Sequence, residues 1–90
     1  MPQKVLVNIK NDNAEDVIRK AGENLRIVRI RYRKADGTSS DRNIEPYSIK
    51  NYGLYGYDTE KNGIRFFKLS GIMSAKETKK NFSPRWPVEL

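Results

Sequence analysis

Residues 42–69 read RNIEPYSIKNYGLYGYDTEKNGIRFFKL, and how this stretch divides decides the fold. An extended segment, Arg42 to Ile49, runs through Pro46, which lacks an amide proton and so marks a strand edge or a bulge. Tyr52 to Tyr57 reads as the next strand, and its Gly53 and Gly56 leave room for another backbone or a ligand. Asn62-Gly63 is a hairpin signal, and Ile64-Arg65-Phe66-Phe67-Lys68-Leu69 is the strand that returns from it. The stretch carries all but one of the five tyrosines and two of the three phenylalanines, with basic residues set among them. A recognition surface is expected here.

Upstream, Val28-Arg29-Ile30-Arg31-Tyr32-Arg33 alternates without a break, which places Val28, Ile30 and Tyr32 inward and three arginines outward on a strand. Asp36-Gly37 is the turn that joins it to Arg42. Before it, Ala14, Val17, Ile18 and Ala21 recur at helical spacing and share one face. Glu15 is placed to reach Arg19, and Asp16 to reach Lys20. Asp12 with Glu15 has the spacing of a capping box, and Gly22 reads as the residue just past the helix end. Val5 to Ile9 reads as a short strand or extended arm. Downstream, Ile72 to Lys80 is a final strand with a charged face. Phe82-Ser83-Pro84-Arg85-Trp86-Pro87 is a stiff extended tail, because proline restricts itself and its predecessor. The expected organisation is one domain: an arm over 1–12, a helix over 13–22, a barrel over 25–80 and a tail over 81–90. Short strands separated by turn signals make it a mainly β protein, a small barrel of five or six strands with one short N-terminal helix.

Ninety residues allow one modest core. Cysteine and histidine are both absent, which removes thiolate and imidazole metal ligands and the commonest general base. The acids are explained by capping and turns, and no glycine-rich phosphate loop occurs, so no enzyme, cofactor or metal is expected. No apolar run approaches the ~20 residues of a membrane span, and the N-terminus has too short an apolar core for a signal peptide. A cytoplasmic protein without a membrane partner is expected. The net charge is +7, from 18 Lys and Arg against 11 Asp and Glu. That excess favours polyanions, so nucleic acid or a nucleotide is the expected partner.

The order of these signals resembles the WYL domain, a small SH3-like (Sm-like) β-barrel found behind DNA-binding domains in bacterial transcriptional regulators. The resemblance runs through Ile30-Arg31-Tyr32, the Asp36-Gly37 turn, Arg42-Asn43-Ile44-Glu45-Pro46, Tyr52-Gly53-Leu54 before Tyr57-Asp58, and Arg65-Phe66-Phe67-Lys68-Leu69-Ser70-Gly71-Ile72. It spans about residues 14 to 82. The sequence departs from the family pattern at Tyr52 and Gly53, which stand for the tryptophan and tyrosine of the naming triplet, and at Gly71, which stands for an arginine. What the resemblance implies is an effector-sensing module for a negatively charged ligand, single-stranded nucleic acid or a nucleotide. Arg42, Arg65 and Lys68 would meet phosphates and Tyr52 would stack on a base. The alternative at these residues is that Tyr52 packs in the core and Arg42 pairs with Glu45 or Asp58.

Arg31, with Arg29 and Arg33, is a second candidate for phosphate contacts. A solvated sheet face that blocks edge pairing explains the same row. A different class of function is a protein-interaction adaptor, as in a phage or other mobile element, that binds a partner through its aromatic-proline tail. Its arm at Val5 to Ile9 would pair with a partner's sheet or a second copy, so monomer and homodimer both stay open.

Overall fold

The computed structural model describes residues 13–90; the expected arm over Val5 to Ile9 and the capping role of Asp12 fall outside them. The elements run α1 (Ala14–Glu23), β1 (Arg26–Arg33), β2 (Ser39–Lys50), β3 (Gly53–Asp58), β4 (Gly63–Lys68), a 3-10 turn (Leu69–Gly71) and β5 (Ile72–Asn81). The five strands form one antiparallel sheet in the order β4-β3-β2-β1-β5. The protein is mainly β with one short helix.

Asn13 caps α1, its side chain accepting the Asp16 amide at 2.9 Å, so the cap falls at the residue after Asp12. Ile18 and Ala21 are buried, with Ala14 and Val17 against the same core, as the helical spacing predicts. Arg19 meets Glu15 at 2.9 Å. Gly22 does not end the helix. It sits inside the helix against Leu90 and Val88 of the tail, where a Cβ would require the Leu90 side chain to shift, and the chain turns out only at Leu25, at a left-handed φ of 54°. Close approach rather than turn geometry explains this glycine.

The helix packs on the sheet face that carries Val28, Ile30, Ile44, Leu54 and Phe67, all buried, and these make the main core. Register sets which residues share this face: Ile30 lies opposite Arg42, Ile44 opposite Asp58, and Leu54 opposite Phe67. The outer face holds a second cluster of Ile27, Tyr47 and Phe82, with Tyr57 and Val88 against it. Tyr47 reaches that side at the register shift beside Pro46, the bulge that a residue without an amide proton marks. The tail covers this cluster. Its Glu89 amide donates to the Tyr47 carbonyl at 2.7 Å, and the Trp86 ring stands edge-on to Tyr47 at 5.3 Å.

Strands β1 and β4 are three places apart in the sheet order, about 14 Å if the sheet were flat. Yet the Tyr32 and Phe67 rings meet at 5.0 Å, and the Lys68 amide donates to the Tyr32 hydroxyl at 3.3 Å. The sheet curves over the core, so that the end of β1 reaches the edge strand β4. Among the described residues no strand ladder joins β4 to β5.

Candidate anion-binding site

Arg42 projects from β2 beside the core and is mostly buried. Its Nη1 donates to Asp58 Oδ2 at 2.9 Å, its Nε donates to Ser40 Oγ at 3.1 Å, and its guanidinium lies 5.9 Å from the Phe67 ring centroid. Asp58 is fully buried, and its other oxygen accepts the Glu60 and Lys61 amides at 3.0 and 3.2 Å. Burial pushes this carboxyl up, but the donors from Arg42, Glu60 and Lys61 outweigh it and hold it below the ordinary carboxylate value. Arg42 is thus engaged by a carboxylate that depends on it. Of the two roles open to Arg42 in the sequence, pairing with Asp58 is the one the fold adopts.

Tyr52 is not the first residue of a strand. Asn51 and Tyr52 form the two-residue link between β2 and β3, with φ of 57° and 60°, the left-handed pair that a twisted hairpin requires. The Tyr52 ring is 91% exposed, so it does not pack in the core, and its carbonyl accepts the Leu69 amide at 2.9 Å. Arg65 and Lys68 are both exposed on β4, but strand alternation sends them to opposite faces: Arg65 with buried Phe67, Lys68 with Phe66. Arg31 lies on the outer face of β1, 3.5 Å from Asp41. The five sequence candidates therefore do not converge on one site.

A different set does converge. The rolled sheet brings the end of β1 against the end of β4, and between them lies a cavity of about 380 Å³ lined by Tyr32, Arg33, Lys34, Lys68, Ser70 and Gly71, with Ala35 at its margin. Three cations and no carboxylate line it, and among the described residues none of the three has an ion-pair partner. Ser70 and Tyr32 supply hydroxyls. Such an arrangement can hold an anion by point charge and hydrogen bonding. Lys34 was missed because it lies far from Lys68 in sequence and has no periodic signal of its own. Only the Tyr32–Phe67 closure sets them side by side. Among the described residues no acidic cluster is placed to hold a metal ion, and no helix is long and apolar enough to cross a membrane.

Gly71 is required by the same closure. A Cβ at this position would lie 2.7 Å from the Tyr32 ring and 2.9 Å from the Arg33 carbonyl oxygen, with backbone as one of the obstacles. Gly71→Arg, which restores the cation of the family pattern, is expected to destabilise the protein by about 2 kcal/mol through overpacking. A thermal melt checks this, and a variant as stable as wild type would show that the Tyr32 edge yields.

On the outer face, a second groove of about 570 Å³ lies between the sheet and the tail. Glu45, buried at its margin, accepts the Tyr47 hydroxyl at 2.8 Å and Arg85 Nε at 3.1 Å, and the Arg85 guanidinium stacks 3.8 Å from the Tyr57 ring centroid. Burial pushes the Tyr47 phenol up to about 12, and its bond to Glu45 adds to the rise. This network fastens the tail.

A family model described as the WYL domain matches residues 14–77. Among solved structures, the proteasome accessory factor B/C (PafBC) of Arthrobacter aurescens is similar, with a TM-score of 0.70 and 22% identity over 82% of this chain. The match spans 13% of the length of that protein. No curated protein matches the sequence.

Proposed function

The chain belongs to the WYL domain family, and from that premise we propose that it is a regulatory module that senses an anionic ligand, single-stranded nucleic acid or a nucleotide, without catalysing a reaction on it. The observation that carries this reading is the cavity lined by Arg33, Lys34 and Lys68 and by no carboxylate. A phosphate placed there meets three cations, and the exposed Tyr52 ring lies one hairpin link away, its carbonyl bonded to the Leu69 amide beside Lys68. Base stacking on such a ring is worth about 1–3 kcal/mol. We also read the curved five-stranded sheet as an SH3-like barrel; the Tyr32–Phe67 contact between β1 and β4, three places apart in the sheet, supports this.

The adaptor reading rests on the aromatic-proline tail. Phe82 is buried, and Trp86, though half exposed, stands edge-on to Tyr47, so both rings contribute to holding the tail on the sheet. The ligand reading is preferred for that reason.

The test is an amide-shift titration with a nucleoside triphosphate and a short single-stranded DNA at two salt concentrations. Shifts are expected at Lys34, Lys68 and Ser70, and they should weaken as salt rises. Lys34→Gln combined with Lys68→Gln removes two charge-assisted contacts, each worth about 1.5 kcal/mol, so affinity should fall about a hundredfold. Binding indifferent to salt and to both substitutions would remove the reading.

A further inference from the structure

The two margins of the sheet are finished differently. Beside β5 lies α1, and Lys76, Lys79 and Lys80 stand exposed along the strand with a single large apolar side chain, Met73, among them. Charges of that kind protect an outermost strand from unwanted pairing. At the opposite margin β4 lies along β3 alone, and it shows both Ile64 and Phe66 to water, 48% and 40% exposed. An open strand with exposed apolar side chains is a surface ready for another strand.

Hydrogen bonding alternates along an antiparallel strand, so neighbouring residues turn their amides to opposite sides. The Leu69 amide, just past β4, donates to the Tyr52 carbonyl beside β3 at 2.9 Å, and the Lys68 amide turns the other way, to the Tyr32 hydroxyl at 3.3 Å. By the same alternation Ile64 and Phe66 turn their N–H and C=O groups away from β3. Among the described residues no strand lies on that side to receive them. The Phe66 ring leans back over β3, 4.8 Å from the Tyr55 ring and against Gly53, where a Cβ would strike it, so it leaves its own backbone open. Tyr55 lies opposite Phe66 and Tyr57 opposite Ile64, which extends the apolar surface inward from the edge. Arg65, between Ile64 and Phe66, points to the other face, is exposed, and has no ion-pair partner among the described residues.

We propose that the edge of β4 receives an extended segment of a partner protein as an added strand, and that this segment carries an acidic residue between two apolar ones. Each part follows from register. Partner residues opposite Ile64 and Phe66 exchange main-chain hydrogen bonds with them, and their side chains fall on the face of Ile64, Phe66, Tyr55 and Tyr57, so they are apolar. The residue between them falls beside Arg65, so it carries a carboxylate. Main-chain bonds supply the attraction, and alternate side chains supply the choice of partner. A second copy of this chain is the poorer occupant, because β4 holds two cations and no acid and each copy carries a net charge of +7. The surface is separate from the anion cavity, and it gives the module a protein partner beyond its ligand.

The experiment titrates the full chain with the capped peptide Thr-Val-Glu-Val-Thr and with its counterpart Thr-Val-Lys-Val-Thr, following amide shifts at low salt, where exposed charges are least screened. The acidic peptide should shift Ile64 and Phe66 and bind about fivefold more tightly than the basic one, the upper range of an exposed ion pair. Arg65→Glu should reverse that preference. Ile64→Pro removes an outward amide that the β3 ladder does not use, so the variant should fold and lose the peptide. A thermal melt verifies folding, and Arg65→Glu, at an exposed residue, carries the test if the proline variant fails to fold. Lys34→Gln, in the cavity, should leave peptide binding unchanged, and nucleotide binding measured on the same variants keeps the two sites apart. The proposal is overturned if neither peptide shifts Ile64 and Phe66, if Arg65→Glu keeps the wild-type preference, or if Ile64→Pro folds and still binds. Peptide binding lost in Lys34→Gln would put the carboxylate in the cavity and overturn it too. A wild-type chain that sediments as an oligomer and becomes a monomer in Ile64→Pro would make a second copy the occupant, and the partner-protein reading would fall.

Discussion

Phe67→Ala is expected to destabilise the protein by about 4 kcal/mol, the range seen when a buried phenylalanine is reduced to alanine. Phe67 is 3% exposed, packs in the main core, and meets the Tyr32 ring of β1 edge-on at 5.0 Å. At about 4–8 °C per kcal/mol for a domain of this size, the melting midpoint should fall by 15 °C or more. The functional consequence is the more telling one. This ring joins β4 to the end of β1, the contact that brings Lys68 near Arg33 and Lys34, so its loss should weaken the proposed anion binding even at temperatures where the variant remains folded. Phe67→Leu serves as the control, because it keeps most of the volume and should lose about 1.5 kcal/mol or less. A Phe67→Ala variant that is folded and binds as wild type would show that the cavity does not depend on closure of the sheet.

The second large effect is at the buried ion pair. Asp58→Ala is expected to cost about 3 kcal/mol, the lower end for breaking a buried pair, because Arg42 keeps 13% of its side chain open to water. The amides of Glu60 and Lys61 lose their acceptor in the same step. The sign of the pH dependence follows from the direction of the shift. Asp58 is held below its ordinary value of 3.8, so its contribution is fully present above that value. It fades as pH falls through the still lower folded value. Denaturant midpoints should therefore differ most between wild type and Asp58→Ala near neutrality and converge in strong acid. Equal midpoints near neutrality would mean that the pair is not structural, and Arg42 would return as a ligand contact. Pairing Asp58→Ala with Arg42→Met in a double-mutant cycle isolates the interaction itself.

The strands were legible because each carries a local signal. Val28 to Arg33 alternates strictly, Asp36-Gly37 and Asn62-Gly63 are turn dipeptides, and the observed β1 and β4 follow from them. Two glycines and a tyrosine were harder. Gly22 looks like a helix terminator, but it is a point of contact with Leu90, the last residue of the chain. Gly71 reads as a lost arginine, but it is the gap into which Tyr32 fits. Tyr52 sits at the tip of a hairpin, in a left-handed conformation that tyrosine seldom adopts, so nothing in its type announced the turn. Arg42 illustrates a separate limit. Its pairing with Asp58 was one of two open roles, and only the register that sets Ile44 opposite Asp58 decides it.

The sequence by itself determined the family, the mainly β class, the inward and outward faces of β1, and the net positive charge. These follow from periodicity, turn chemistry and composition, which act over a few residues or over the whole chain at once. The tertiary structure alone decided which charges meet. Arg33, Lys34 and Lys68 share a cavity because the sheet rolls until Tyr32 and Phe67 touch. Arg29 gains Lys76 as a neighbour because β5 returns beside β1. Arg42 is withdrawn because Asp58 is buried beside it. Coulomb interactions depend on distance in space, and a one-residue change of register sends a side chain to the opposite face.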